Sequence, residues 1–168
     1  MKLTGAIIII GCSLYFGLQY AAGLTLEIGY LKKLICAIDY MSCELQYKLT
    51  PLPDLCRQTA GECSGHLKAL FMDFADELDN QVSPNVKLCM KSVLTRHGAI
   101  PKTTRKCLEH FSSSMGRFDL KAQIHALESV RIMCRKQLED LENGKETRVR
   151  IYKTLGICAG AAVVILLV

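Results

Sequence analysis

The sequence has no tryptophan, only four prolines, and almost no charge at either end. Residues 1–24 carry a single charged side chain, Lys2, and residues 154–168 carry none. Half of the 168 residues are hydrophobic and 22% are charged, so the apolar residues gather where the charges are missing. This distribution excludes a simple soluble protein, a disordered chain and a multi-span transporter. It indicates one polar domain of ordinary size with an apolar segment at each end.

Both apolar ends are predicted to be transmembrane helices, over residues 1–24 and 154–168. Leu3–Leu24 holds 22 uncharged residues, which as a helix reach roughly 33 Å and exceed the ~30 Å hydrocarbon core. The second segment has 15 residues, covers roughly 23 Å, and spans only if the bilayer thins locally. The alternatives are a cleaved signal peptide at the N-terminus and a buried core helix at the C-terminus.

The lysines and arginines flanking these segments predict their orientation. Apart from Lys2, every Lys and Arg of the chain lies between the two segments. Because such residues favour the cytoplasmic side, residues 25–153 are expected in the cytoplasm of a two-span protein of the cell membrane. Both flanking helices then leave the same membrane face, so they must run antiparallel.

The apolar residues of this middle domain recur every three or four positions, which is the period of an α-helix. No stretch alternates between apolar and polar residues at period two, as a half-buried strand would. The last helix begins at about Asp119 and has the same heptad spacing as the first helix, with Arg131 at one core position. The sequence therefore predicts an all-α fold, an antiparallel helical bundle between an N-terminal and a C-terminal transmembrane helix. The heptad seam of the first helix is interrupted only by Ser42: Leu24, Ile28, Leu31, Ile35, Ile38, Ser42, Leu45 and Leu49.

Proline and glycine divide the region between the two long helices into four shorter ones. The segment Thr50-Pro51-Leu52-Pro53 ends the first helix, and Pro53 is predicted to be the first residue of the second. Ser83 is predicted to cap the fourth helix ahead of Pro84, and Asn143-Gly144 to break the last helix briefly. The acids of the third helix are interpreted as a solvated face: Asp73, Asp76, Glu77 and Asp79.

A buried ion pair is predicted between Glu44 of the first helix and Arg131 of the last. At ~1.5 Å per residue from the ends of the two spans, they lie roughly 30 Å and 33 Å from the membrane. A cation at a core position needs a compensating charge. The two side chains are therefore expected to approach one another across the seam.

Seven cysteines lie in the middle domain, an odd number with no CxxC pair, which indicates reduced thiols in a reducing compartment. They are Cys36, Cys43, Cys56, Cys63, Cys89, Cys107 and Cys134. Cys63 with His66, and Cys107 with His110, are both C-x-x-H and could together bind Zn²⁺, but nothing in the sequence brings the two together. A membrane-anchored metal- or redox-sensing adaptor stays open as the alternative, and an exported cysteine-rich domain as a third class.

No catalytic signature occurs: Glu139 stands where a Walker A loop needs glycine, and HExxH, GxSxG and GxGxxG are absent. The positive charge is interpreted as spread out among acids, which disfavours nucleic acid as a partner. The sequence therefore predicts no enzyme activity and no cofactor. A binding or scaffolding role is expected, with protein partners and the lipid bilayer.

Three segments of the chain resemble the stage III sporulation protein AB family. Glu44-Leu45-Gln46-Tyr47 with Thr50-Pro51-Leu52-Pro53 is similar to the family's E-x-x-Y…TPLP element. Gly116-x-x-Asp119-x-x-x-Gln123 resembles its G-x-S-D-x-x-x-Q turn, with Phe118 where serine is usual. Tyr152–Gly156 resembles its Y-x-x-LG close. The absent tryptophan and the many cysteines depart from the family pattern.

The resemblance implies a component of the complex that connects mother cell and forespore during endospore formation. It would lie in the outer forespore membrane on the mother-cell side, as a platform distantly similar to the F-type proteins of type II secretion. Its implied partners are a sporulation ATPase like stage III sporulation protein AA, which would perform any ATP turnover, and other membrane components of the complex. The matching corner is expected to be a helix-turn lock or a partner surface: Glu44, Tyr47, Thr50, Pro51, Leu52 and Pro53.

Overall fold

The computed structural model describes residues 2–48, 50–80, 85–115 and 120–167, with side chains described within 23–48, 50–80, 85–115 and 120–144. Across these ranges the chain forms α-helices and no strand, which confirms the predicted all-α class. The six helices are α1 (Lys2–Lys48), α2 (Leu52–Glu62), α3 (His66–Asp79), α4 (Val86–Arg96), α5 (Lys102–Ser114) and α6 (Leu120–Leu167).

The chain divides into two compact units. The first contains residues 1–28 and 139–168, and the second contains residues 29–138. In the part of the chain that the structure describes, no helix is both long and apolar enough to cross a bilayer. The predicted spans 1–24 and 154–168 fall almost entirely outside the residues whose side chains are described. The membrane-flanked layout therefore stays a prediction.

The core of the second unit begins with the seam of α1. The predicted positions Leu31, Ile35, Ile38 and Leu45 are buried, and Ser42 is half-buried. Between them a second row of α1 side chains is also buried: Leu34, Ala37 and Met41. In α6 the apolar side that faces the core contains Leu127, Val130 and Cys134. The heptad spacing read from the sequence thus identifies the buried faces of both long helices.

The four shorter helices pack in chain order, α2 on α3, α3 on α4 and α4 on α5. The predicted stripe of α3 is buried, including Leu67, Leu70 and Phe71. Phe74 also contacts Phe111 of α5, with ring centroids 6.4 Å apart and planes at 63°. This edge-to-face pair joins two helices that are not neighbours along the chain.

The starts of α2 and α4 differ slightly from the predicted positions, and the turn before α3 contains a glycine with positive φ. Helix α2 begins at Leu52, one residue before the predicted start, so Pro53 lies in its first turn, where a missing N–H leaves no bond unmade. Gly65, in the turn before α3, has φ of 68°, a conformation that glycine adopts without strain. Asn85 caps α4 by accepting a hydrogen bond from the Lys87 backbone N–H at 3.0 Å, whereas the predicted cap Ser83 lies outside the described residues.

The predicted break at Asn143-Gly144 is wrong, because α6 continues through both residues. A glycine within a helix costs only about 1 kcal/mol relative to alanine, and no proline lies nearby to remove a backbone donor. The surrounding glutamates, lysines and arginines favour helix strongly enough to continue it.

Candidate functional site

The corner between α1 and α2 exposes an aromatic side chain. Tyr47, in the last turn of α1, is 81% exposed, and Pro51 on the other side of the corner is also exposed. Thr50, Leu52 and Pro53 are half-buried. The corner is held by a hydrogen bond from the Leu55 backbone N–H to the Pro51 carbonyl, 2.9 Å long. Its sequence motif thus combines a packed turn with an exposed, rigid aromatic ring.

Glu44 lies one turn before Tyr47 and is largely buried, with 15% of its side chain exposed. Its Oε1 accepts a hydrogen bond from Lys48 Nζ at 3.3 Å, and its Oε2, shielded from solvent, lies 3.2 Å from the same nitrogen. Because a buried carboxylate is costly without a countercharge, Lys48 stabilises this last turn. The motif residues Glu44 and Tyr47 therefore differ, one facing inward and one outward.

Arg131 of α6 does contact α1, but the acid it pairs with is Asp39. Its Nη1 donates to Asp39 Oδ1 at 3.3 Å, and its Nη2 donates to Glu128 Oε1 at 2.6 Å. These two carboxylates raise the pKa of Arg131. The predicted partner, Glu44, pairs instead with Lys48. Asp39 precedes Glu44 by five residues, which is about 7.5 Å along a helix. The predicted alignment of α1 with α6, counted from the expected membrane boundaries, was therefore displaced by this distance.

The acids of α3 lie mostly on an exposed face, as predicted: Asp76 and Asp79 are exposed, and Glu77 is largely buried. Basic side chains from both neighbouring helices bind them. From α2, the Arg57 guanidinium donates to Asp76 at 3.1 Å and to Asp79, and it lies 3.5 Å from Asp54. The hydrogen bonds to Asp79 and Asp76 raise the pKa of Arg57. One cation thus serves three exposed carboxylates.

On the other side, α4 binds the remaining acids of α3. Arg96 donates to Glu77, and Ser92 Oγ donates to the same carboxylate oxygen at 3.0 Å. His97, at the end of α4, lies with Nε2 2.9 Å from Asp73 Oδ2. These contacts connect the two helical hairpins through polar side chains at the rim of their apolar interface.

A cleft of about 480 Å³ lies between α1 and the turn after α2. The α1 residues Cys36 and Tyr40 line it on one side, and Cys63 and Ser64 on the other. Lys33 Nζ donates to Ser64 Oγ at 3.1 Å at its rim. In the sequence, Cys36 lies seven residues before Cys43, and Cys63 lies seven residues after Cys56. This spacing did not indicate that Cys36 and Cys63 line one cleft.

The other thiols mostly belong to the core. Cys56 is fully buried, and its pKa is raised to about 12 by burial. Cys107 and Cys134, from α5 and α6, are fully buried in hydrogen-bonding contact, which together with burial raises the pKa of Cys134. Among the described residues no group of three or more His, Cys, Asp and Glu side chains could hold a metal ion. The predicted C-x-x-H elements at Cys63 and Cys107 are not brought together into such a group.

Sequence reasoning treated the positive charge as evenly spread, and this missed a local pattern. From Asn80 to Leu108 the sequence contains no Asp or Glu. This stretch includes all of α4 and half of α5, and its six Lys and Arg residues are therefore unmixed with acids. A window shorter than the whole domain would have identified it.

Comparison with known proteins identifies one family. The family model for stage III sporulation protein AB matches residues 2–168. The stage III sporulation protein AB of Bacillus subtilis (strain 168) is 24% identical over 170 residues, covering 99% of this chain and 99% of that protein. A solved structure of a stage III sporulation protein AB has a similar fold, with a TM-score of 0.61 and 21% identity, covering 70% of this chain and 94% of that chain.

Proposed function

The chain belongs to the stage III sporulation protein AB family, and we propose that it is a non-enzymatic platform for the complex connecting mother cell and forespore. The observation that carries this proposal is the family match over residues 2–168, which includes every described helix. A role in sporulation follows from the family. The platform role is a more specific proposal, and it depends on which proteins the exposed surfaces of the helical domain bind.

We place the domain of residues 25–153 on the mother-cell side of the outer forespore membrane, in the cytoplasm, anchored by segments 1–24 and 154–168. Its proposed partners are an ATPase like stage III sporulation protein AA, other membrane components of the complex and the surrounding lipid. Any ATP turnover belongs to the ATPase, because this sequence carries no phosphate-binding loop.

The α1–α2 corner is the proposed contact for a protein partner. Tyr47 is the most exposed large apolar side chain of the described residues, at 81%. A tyrosine offers a large rigid contact area with one polar tip, which is why tyrosine often dominates the free energy of an interface. Tyr47 lies in the last turn of α1, and Leu52 and Pro53 after the corner are half-buried, so Tyr47 would bind from a helical support.

The test is capture of the complex from sporulating cells with an affinity-tagged chain, wild type and Tyr47→Ala. Wild type is expected to capture the ATPase and channel components. Tyr47→Ala is expected to lose about tenfold or more of this capture and to sporulate less, since removing an aromatic anchor at a hot spot typically costs about 2 kcal/mol or more of binding, and about 1.4 kcal/mol is tenfold. Ile132→Ala is the matched control, because Ile132 is 59% exposed on α6.

The outcomes separate the two parts of the proposal. Wild type that captures no protein of the sporulation complex would contradict the platform. Capture by Tyr47→Ala equal to wild type, with both variants equally abundant, would leave the platform in place and make the corner a helix-turn lock only.

A further inference from the structure

Charge is segregated between the two helical hairpins of the second unit. The α4–α5 hairpin, residues 85–115, contains six Lys and Arg residues and a single acid, Glu109. The α2–α3 hairpin, residues 50–80, has the opposite composition, with six acids and only Arg57 and Lys68 as bases. One chain therefore carries both signs of charge on separate hairpins.

The basic hairpin carries an exposed patch, here called the basic patch, of Lys87, Leu88 and Lys91 in the first turns of α4. All three side chains are exposed, Leu88 by 49%. At about 100° per residue they share an arc of about 100°, with Leu88 at one edge of it. Among the described residues, neither ammonium group takes part in an ion pair or hydrogen bond.

The arginines of the same hairpin behave differently. Arg96 binds Glu77 of α3, and Arg105 donates to the His97 carbonyl at 3.3 Å. One arginine thus binds α3 and the other binds the turn of its own hairpin, whereas the lysines are exposed. An apolar side chain beside two exposed lysines is a surface that an acidic partner with an exposed apolar side chain of its own can cover.

The acidic hairpin carries a complementary patch, here called the acidic patch, of Asp54, Met72, Asp76 and Asp79 around Arg57. The three carboxylates are 58%, 58% and 44% exposed in that order, and one guanidinium leaves an excess of negative charge. Met72 is 38% exposed and shares an arc of about 60° with Asp76 and Asp79 on α3. Lys68 is exposed on the same face one turn before Met72, so the acids flank Met72 on the side toward the end of α3.

We propose that the basic patch of one copy docks on the acidic patch of a second copy of this chain. The lysines would meet the carboxylates while Leu88 contacts Met72, and electrostatic complementarity would select the orientation. Because the two patches differ, the contact is heterologous. A docked pair keeps one patch of each kind free, so the contact continues into a ring or an open row. This inference does not depend on the ATPase or on the α1–α2 corner.

The test uses two full-length copies with different affinity tags, co-expressed and purified together in a mild detergent. Wild-type copies are expected to co-purify at low salt and to separate as salt is raised. Lys87→Glu/Lys91→Glu, placed in both copies, should reduce co-purification about tenfold, because like charges then meet at the rim. Lys121→Glu/Lys136→Glu is the control, since it changes the net charge equally at exposed positions of α6.

A charge exchange makes the result specific. Asp76→Lys/Asp79→Lys should fail to associate with itself but should associate with Lys87→Glu/Lys91→Glu. Since these acids also bind Arg57, a circular dichroism melt checks that the variant folds. Met72→Lys, which keeps both acids, is a second variant that should also weaken the association of copies. Wild type that stays monomeric, or Lys87→Glu/Lys91→Glu that associates like wild type, would overturn the proposal. So would folded exchange partners that do not associate.

Discussion

Cys56 and Cys43 lie in opposite environments although each has another cysteine seven residues away. Cys43 is exposed on α1, whereas Cys56 on α2 is fully buried and its pKa is raised to about 12. Burial disfavours the thiolate, so Cys56 behaves as a small apolar side chain with little nucleophilic character. The odd number of cysteines suggested reduced thiols, but only the packing of each helix decides which thiols are reactive.

The pKa of Cys56 predicts that the folded protein loses stability at alkaline pH. Below the ordinary thiol pKa of 9.0 both folded and unfolded chains keep the proton, so the contribution does not vary. Between 9 and about 12 the unfolded chain releases the proton while the folded chain retains it. The free energy of unfolding should therefore fall by roughly 1 kcal/mol per pH unit from this thiol.

The measurement is urea unfolding between pH 7 and 11 for wild type and Cys56→Ala. The variant is less stable throughout because it leaves a cavity, but its curve should descend less steeply above pH 9. Cys43→Ala, at an exposed position, should descend like wild type. Equal slopes for wild type and Cys56→Ala would contradict the assignment.

At the scale of helices, the sequence predicted well which segments form helices and which face of each helix is buried. It predicted poorly which polar side chains pair between helices. A stripe such as Leu67, Leu70 and Phe71 repeats over several turns, so one misread position leaves the buried face unchanged. An ion pair depends on a single register, and a shift of five residues exchanged Glu44 for Asp39 as the α1 partner of Arg131. For the same reason the sequence placed the α3 acids on an exposed face without giving their partners, which come from other helices.

The pairing of α1 with α6 predicts a coupling between Asp39 and Arg131. In a double-mutant cycle of Asp39→Asn and Arg131→Gln, the loss of unfolding free energy should be less than additive, because either change already breaks the contact. The parallel cycle of Glu44→Gln with Arg131→Gln should be additive, since Glu44 is bonded to Lys48. Thermal or urea unfolding measures both cycles. Coupling of Arg131 to Glu44 and not to Asp39 would contradict this pairing and support the Glu44–Arg131 pair predicted from the sequence.

At the scale of the whole molecule, the distribution of charge is informative over two lengths of sequence, the full chain and the single helical hairpin. Over the full chain, the uncharged ends predict membrane segments, and the positive middle predicts the side on which it lies. Over single hairpins, the same charges separate into the acidic and basic patches. A net value of +5 averages over both lengths, which is why the sequence appeared evenly charged when the whole domain was taken together. The prolines of Thr50–Pro53 predicted the turn between α1 and α2 because that signal is contiguous in the sequence; the role of the motif from Glu44 to Pro53 stays a prediction.

The proposed topology predicts which thiols an impermeant reagent can reach. Cys36 and Cys43 are exposed and lie between the two predicted spans. If residues 25–153 are cytoplasmic, a membrane-impermeant maleimide should leave both thiols unlabelled in growing cells that express the chain in the plasma membrane. It should label them after that membrane is permeabilised. Cys36→Ser/Cys43→Ser is the control, because it removes the two reactive sites and should abolish most labelling of the permeabilised sample. Equal labelling of intact and permeabilised cells would place the domain on the outside. The positive charge next to the apolar ends would then need another explanation, since lysines and arginines favour the cytoplasmic side.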